Sequence, residues 1–177
     1  MNRTADPAMN DSTLLSDLGI PADYGTRPYL PRYEEAAELV EIDDDMFGRP
    51  LRLAPGTARD WQTMQQAALD DGVELLIVSG FRSVAYQVEL IRNKLSKGLT
   101  IDRILRVNAA PGFSQHHTGM ALDLATPGYR PLTEEFEVTP AFAWLKANAA
   151  QFAFSMPYGR DNVYEIVYEP WHWSQCE

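Results

Sequence analysis

Between residues 52 and 71 the apolar side chains Leu53, Ala58, Trp61, Met64, Ala67 and Leu69 recur at three-to-four spacing, which predicts an amphipathic helix laid over the core and ended by Gly72. The next run, residues 73–79, is short, apolar and rich in branched side chains, so it predicts a buried strand leading into Gly80 and Phe81. A second helix is expected over residues 84–97, with Ser83 as its N-cap and Gly98 as its stop. Residues 120–125 set small or apolar residues around Asp123, the mark of a central strand following a turn-like segment at 111–119 and closed by Pro127 and Gly128. Thr139 and Pro140 open a third helix over 141–151, with Phe142, Leu145 and Ala149 on one face. Residues 163–168 alternate Val163, Glu165 and Val167 with Tyr164, Ile166 and Tyr168, a strand pattern that would deliver Glu169 and His172 at its end. Before all of these, residues 1–33 are polar and broken by Pro7, Pro21, Pro28 and Pro31, an irregular lead-in expected to wrap a domain formed by residues 34–177. Helices and strands that do not alternate regularly predict an α+β fold: one small domain with a central antiparallel sheet flanked by helices.

Composition narrows the class. The 177 residues suit one domain, and 45% hydrophobic with 23% charged residues is ordinary for a soluble globular chain. The formal net charge of -10 repels phosphate backbones and anionic headgroups, so neither nucleic acid nor a lipid surface is an expected partner. The single cysteine, Cys176, excludes an intrachain disulfide and a cysteine metal cluster. No stretch reaches the roughly 18 apolar residues of a membrane span, and residues 1–17 lack the core of an export signal. That fits a cytoplasmic protein and equally a chain cut after its signal, and the oligomeric state is not encoded in these patterns.

The chemistry concentrates in two short segments. All three histidines lie in Ser114-Gln115-His116-His117-Thr118-Gly119-Met120-Ala121-Leu122-Asp123 and Glu169-Pro170-Trp171-His172, each of which also holds a carboxylate. Two imidazoles and one carboxylate, with an open position for water, make a catalytic zinc site without cysteine. The separation of His116 from Asp123 lets a loop ligand and a strand ligand converge. Glu169, three residues before His172, can stand beside that site as a carboxylate that is not a ligand and accept a proton from water.

With these segments the chain resembles the zinc D-alanyl-D-alanine carboxypeptidases and dipeptidases of the VanY and VanX type, which act on bacterial cell-wall peptides. Ser79-Gly80-Phe81-Arg82-Ser83 followed by Gln87 is similar to the family's Arg-bearing turn and helix. Residues 114–123 match its S-x-H-x-x-G-x-A-x-D pattern at every specified position, and residues 169–172 match its E-x-W-H ending. The resemblance covers residues 73–173 and is absent before Leu51. It implies one zinc per chain held by His116, Asp123 and His172, Glu169 as catalytic base, and Arg82 as the cation that steadies the substrate oxygen. The implied partner is a peptidoglycan stem peptide or D-Ala-D-Ala, cut before a terminal D-Ala.

Each residue also has a plainer reading. Arg82 has the lesser alternative of a solvated charge after a strand, while Ser114 reads as a turn cap or a substrate contact and Gln87 as a structural helix residue or a substrate contact. His117, outside the pattern, is expected at the surface or behind the ligands, since neighbours on an extended segment face opposite ways. Tyr158, Trp171 and Trp173 read as core packing or as cleft lining. Two alternatives of function stand beside the carboxypeptidase: an endopeptidase with the same zinc site, and a zinc-stabilised module that binds muropeptides or a protein without catalysis.

Overall fold

A computed structural model describes residues 11–175. Its centre is a four-stranded antiparallel sheet of β3 (Leu76–Ser79), β4 (Ala121–Ala125), β5 (Phe154–Ser155) and β6 (His172–Gln175), in the order β3-β4-β6-β5. β4 is buried along its whole length. A two-stranded antiparallel ribbon of β1 (Val40–Ile42) and β2 (Leu51–Leu53) lies before the helix α2 (Pro55–Asp70). The α+β expectation holds, with helices packed around an antiparallel sheet.

α2 begins later than the apolar spacing suggests. Leu51 and Leu53 are buried while Arg52 between them is exposed, a period of two that belongs to β2, and Pro55 then supplies a preset φ at the helix start. The helix turns Ala58, Trp61, Met64 and Ala68 onto the sheet, where they share one core with Leu122, Leu124, Phe154 and Trp173. The helix α3 (Val84–Ser96) is capped as expected: the Ser83 hydroxyl accepts a hydrogen bond from the Tyr86 amide at 3.0 Å, and Gly98 at φ 84° closes it. Likewise the Thr139 hydroxyl accepts from the Phe142 amide at 3.1 Å at the head of α5 (Pro140–Asn148). That helix stops short of residue 151 and tightens into a 3-10 turn over Ala149–Phe152.

The lead-in is not wholly irregular. It holds the short helix α1 (Asp11–Asp17), and Leu18 and Ile20 are buried against Val88 and Ile91 of α3, Ile104 of the small helix α4 (Ile101–Leu105), and Phe113. This second core lies outside the sheet core and joins residues before 33 to the helices that follow Arg82. Cys176 lies outside the described residues. Among the described residues, no helix is long and apolar enough to cross a membrane.

One expected strand is absent. Residues 163–168 form an irregular loop, and the strand starts only at His172. Asp161 and Glu165 have φ of 60° and 52°, left-handed values that no strand accommodates. The Asn162 side chain takes over the hydrogen bonding that a sheet would supply. Its Oδ1 accepts from the amides of Tyr164 (3.1 Å) and Ile166 (3.3 Å), and its Nδ2 donates to the carbonyls of Ile166 (2.8 Å) and Gly159 (2.9 Å). Both sides of β4 are already occupied, by β3 and β6, so the central strand offers this segment no partner.

Candidate active site

The sheet register brings the expected metal ligands together. Asp123 on β4 is the direct partner of His172, the first residue of β6. His116 reaches them from a 3-10 turn, Gln115–Thr118, that Gly119 ends at φ 69°. A Cβ at Gly119 would stand 2.8 Å from the Ala54 amide nitrogen, so only glycine lets the turn pass beneath the end of β2. The Gly119 carbonyl accepts from that same amide at 3.0 Å, which pins the turn against the α2 entrance.

His116, Asp123 and His172 are all buried, and one ligand atom from each lies within 4.8 Å of the others. His116 Nδ1–H donates to the Gly80 carbonyl at 2.7 Å, which leaves Nε2 with its lone pair 3.3 Å from Asp123 Oδ2. His172 places Nδ1 3.0 Å from Asp123 Oδ1, while Nε2–H donates to the Gln115 amide oxygen at 2.8 Å. His116 Nε2 is buried and has no hydrogen-bond partner among the described residues. A buried nitrogen lone pair facing a buried carboxylate is a costly arrangement that a cation between them would satisfy, and imidazole with carboxylate is a donor set that zinc accepts. The residues therefore fit a zinc ion.

The electrostatics agree with that donor set. Burial and the nearby Arg82 charge push His116 down to about 4, so the ring is neutral and able to bind metal. Burial alone would raise Asp123, but His116 and His172 beside it outweigh burial and hold its carboxyl well below the usual range. Glu169 goes the other way, up to about 8, through burial and the Asp123 charge, with Arg82 opposing. Its backbone is held at both ends, the amide donating to the Tyr158 carbonyl at 3.0 Å and the carbonyl accepting from the His172 amide at 3.1 Å.

Around these groups lies a cleft of about 290 Å³ that also takes in Arg82, Gln87 and Ser114. Arg82 extends one guanidinium nitrogen, Nη2, to Asp123 Oδ2 at 3.5 Å, and its buried Nε has no partner among the described residues. It is thus no free surface charge. Ser114 is buried at the start of the 3-10 turn, yet its hydroxyl makes no cap bond; its carbonyl accepts the His117 amide instead. Gln87 is fully buried, with Nε2 donating to the Ala109 carbonyl at 2.7 Å and Oε1 unpartnered, so one end of the amide is structural and the other is open. His117 is not on the surface: it is fully buried, its Nδ1 donating to the Arg82 carbonyl at 2.6 Å and its Nε2 accepting from the Gly112 amide at 3.1 Å. It braces the Arg82 backbone from behind. Tyr158 and Trp171 line the cleft, and the Tyr158 ring stacks on His172 at 4.6 Å, whereas Trp173 belongs to the core.

Sequence reading did not single out Gln115, Tyr24 or Lys94, which also line this cleft. Gln115 occupies an unspecified position of the S-x-H-x-x-G-x-A-x-D pattern, and Tyr24 lies in a lead-in without motif. Lys94 had a signal, since it follows Gln87 by seven residues and so shares its helix face. Burial and the nearby Arg82 charge lower its ammonium pKa.

A His–Asp–His cluster built from two strands and a 3-10 turn, with an unpartnered nitrogen, facing a cleft with a carboxylate and an arginine, defines a candidate metallohydrolase centre. Residues 50–176 match the VanY family of D-alanyl-D-alanine carboxypeptidases, and the chain belongs to that family. YodJ of Bacillus subtilis, to which carboxypeptidase activity is ascribed, is 35% identical over 116 residues, covering 63% of this chain and 41% of YodJ. A D-alanyl-D-alanine carboxypeptidase of Enterococcus faecalis is 30% identical over 122 residues, covering 63% of this chain and 44% of that one. The chain thus spans less than half the length of the curated relatives it matches. Among solved structures, the LdcB LD-carboxypeptidase superposes with a TM-score of 0.71 at 29% identity, over 82% of this chain and 71% of that one. A mutant of the vancomycin-resistance D,D-pentapeptidase VanY, solved with Zn(II), gives 0.62 at 26% identity, over 82% of each chain.

Proposed function

We propose that the protein is a zinc peptidase that hydrolyses the bond before a terminal D-Ala of peptidoglycan stem peptides or of D-Ala-D-Ala. The observation that carries this reading is the unpartnered His116 Nε2 beside Asp123 and His172, in the same cleft as Glu169. His116, Asp123 and His172 would hold one zinc per chain, which when bound would supply Lewis acidity toward a water and a carbonyl oxygen. Glu169 takes a proton from the attacking water as the new C–O bond forms, and returns it to the amine as the C–N bond breaks. Its pKa of about 8 without metal falls when positive charge enters the neighbouring cluster, which prepares it as a base near neutrality. Arg82 donates to the carbonyl oxygen as charge gathers there. Ser114 and Gln87, which line the same cleft, are assigned to substrate contact.

Family membership and the names of its relatives support the substrate class. VanY has been solved with D-alanine-D-alanine, and at 26% identity that likeness favours a D,D bond. The higher TM-score to LdcB, an LD-carboxypeptidase, favours an L,D bond as the second reading. Mass spectrometry of defined stem peptides incubated with the zinc-loaded protein separates these. Release of D-Ala from a peptide ending in D-Ala-D-Ala supports the first, release only from a tetrapeptide whose D-Ala follows an L-centre supports the second, and no release of D-Ala from either refutes both. An all-L counterpart should remain intact, because a cleft that fixes the scissile carbonyl cannot accept inverted α-carbons without displacing it.

A further inference from the structure

His172 can offer a lone pair to the metal position only if its ring is turned with Nδ1 rather than Cδ2 toward Asp123 and if Nε2 carries the proton, and both conditions are set away from the ligands. Nδ1 stands 3.0 Å from Asp123 Oδ1, and Nε2 is engaged by the Gln115 amide oxygen at 2.8 Å. Gln115 has its own support, since its Nε2 donates to the Tyr33 hydroxyl at 3.3 Å. In this arrangement the amide oxygen faces His172. A carboxamide with its nitrogen committed to a phenol presents its oxygen, an acceptor, to the imidazole.

Tyr33 is itself fixed by the backbone. Its amide donates to the Gly112 carbonyl at 2.8 Å, and three residues on, the Ala36 amide donates to the His117 carbonyl at 2.8 Å. The Glu35 carboxylate accepts from the Val84 amide at 2.6 Å, which ties the same stretch to the head of α3. Tyr33 lies outside residues 50–176, the part of the chain that matches the family, and it reaches the metal cluster through the Gln115 amide.

We infer that Gln115, oriented by Tyr33, is the positioning residue that holds the His172 ring with Nδ1 toward the metal and Nε2–H away from it. The inference rests on the zinc reading proposed above. Its physical basis is that a ligating imidazole must keep its other nitrogen protonated, and an acceptor placed there fixes both the ring rotation and the tautomer. Tyr158, stacked on the same ring at 4.6 Å, limits tilt, but a half-turn about Cβ–Cγ returns the ring to the same plane, so stacking cannot make this choice.

The test uses the full-length zinc-loaded protein and zinc itself as probe. Chelator competition should show Gln115→Leu weakening zinc binding by about 10- to 100-fold, the usual scale for a partner behind a metal ligand. Gln115→Glu, which keeps an acceptor for Nε2–H, should bind within a few-fold of wild type. In nitrogen-15 spectra of the loaded protein, the His172 Nε2–H signal should be protected from solvent exchange in wild type and Gln115→Glu, and should exchange rapidly in Gln115→Leu. Tyr33→Phe should produce a smaller loss of the same protection, and it carries the test if Gln115→Leu does not fold. Wild-type zinc affinity together with unchanged protection in both Gln115→Leu and Tyr33→Phe would overturn the inference. A wild-type chain that binds no zinc would overturn the metal reading and this inference with it.

Discussion

Asp123 and His172 sit opposite each other on hydrogen-bonded strands, whereas Glu169, three residues before His172, ends an irregular loop with two left-handed residues. On the sheet side, position is over-determined. The β4–β6 ladder pairs Ala121 with Ser174, Leu122 with Trp173 and Asp123 with His172, over a core that includes Leu122 and Trp173. On the loop side, one side chain, Asn162, makes four hydrogen bonds that hold residues 159–166 in shape. The difference matches what each group must do. Metal ligands have to converge on a point within tenths of an ångström, which a packed sheet can guarantee. A general base acts through a water, tolerates more freedom, and must lie at the open edge of the cleft.

This division can be broken from either side. The largest effect should come from the sheet side: His172→Ala should abolish peptidase activity and reduce zinc content to background while the circular dichroism spectrum persists. Retention of stoichiometric zinc would remove His172 from the ligand set. Next in size is Glu169→Gln, expected to keep its zinc and lose about 10²- to 10⁴-fold in kcat, since an amide cannot take the water proton. Near-normal turnover in that variant would place the base elsewhere and revive the non-catalytic binding module.

A smaller effect concerns pH. Without metal, folding raises the Glu169 carboxyl from 4.5 to about 8, so the folded chain resists its ionisation. The unfavourable contribution is absent below about pH 4.5, grows as pH rises, and is complete above about pH 8. Metal-free Glu169→Gln should therefore be more stable than metal-free wild type by on the order of 5 kcal/mol above that range, with the advantage gone under acidic conditions. Denaturant midpoints of the two proteins at both extremes measure it, and an advantage confined to acid would reverse the sign. Smallest is Asn162→Ala, which should lower kcat/KM by about 10-fold through misplacement of Glu169. Zinc affinity should stay at the wild-type value, and a variant that lost zinc as readily as His172→Ala would erase the distinction between the two sides.

Local chemistry was legible wherever a residue's role depends on its neighbours in the chain. The Ser83 and Thr139 caps, the Gly98 stop and the buried strand around Asp123 follow from side-chain size, hydroxyl reach and backbone freedom. The three-to-four spacing puts Leu53 in the following helix, whereas its alternation with Arg52 and Leu51 and its pairing with β1 put it in a strand. The alternation over 163–168 misled for a related reason. A period of two describes a strand only if a neighbouring strand has free hydrogen-bonding groups, and β6 had already taken that side of β4.

What the sequence determined by itself was the inventory and its grouping: two histidines, an aspartate, a glutamate and an arginine, in short motifs of fixed spacing. Which atoms of those residues face one another was decided by the tertiary structure. The contact of Asp123 with His172 across 49 residues, the bond from His116 to Gly80, and the reach of Tyr33 to Gln115 all join segments distant in the chain. Their geometry arises from strand register and from the docking of the lead-in on a second core, both set by burial shared among many residues. The orientation of the His172 ring is the finest of these decisions, because a half-turn about Cβ–Cγ would put Cδ2 in place of Nδ1, and only the surrounding hydrogen bonds fix which of the two faces Asp123.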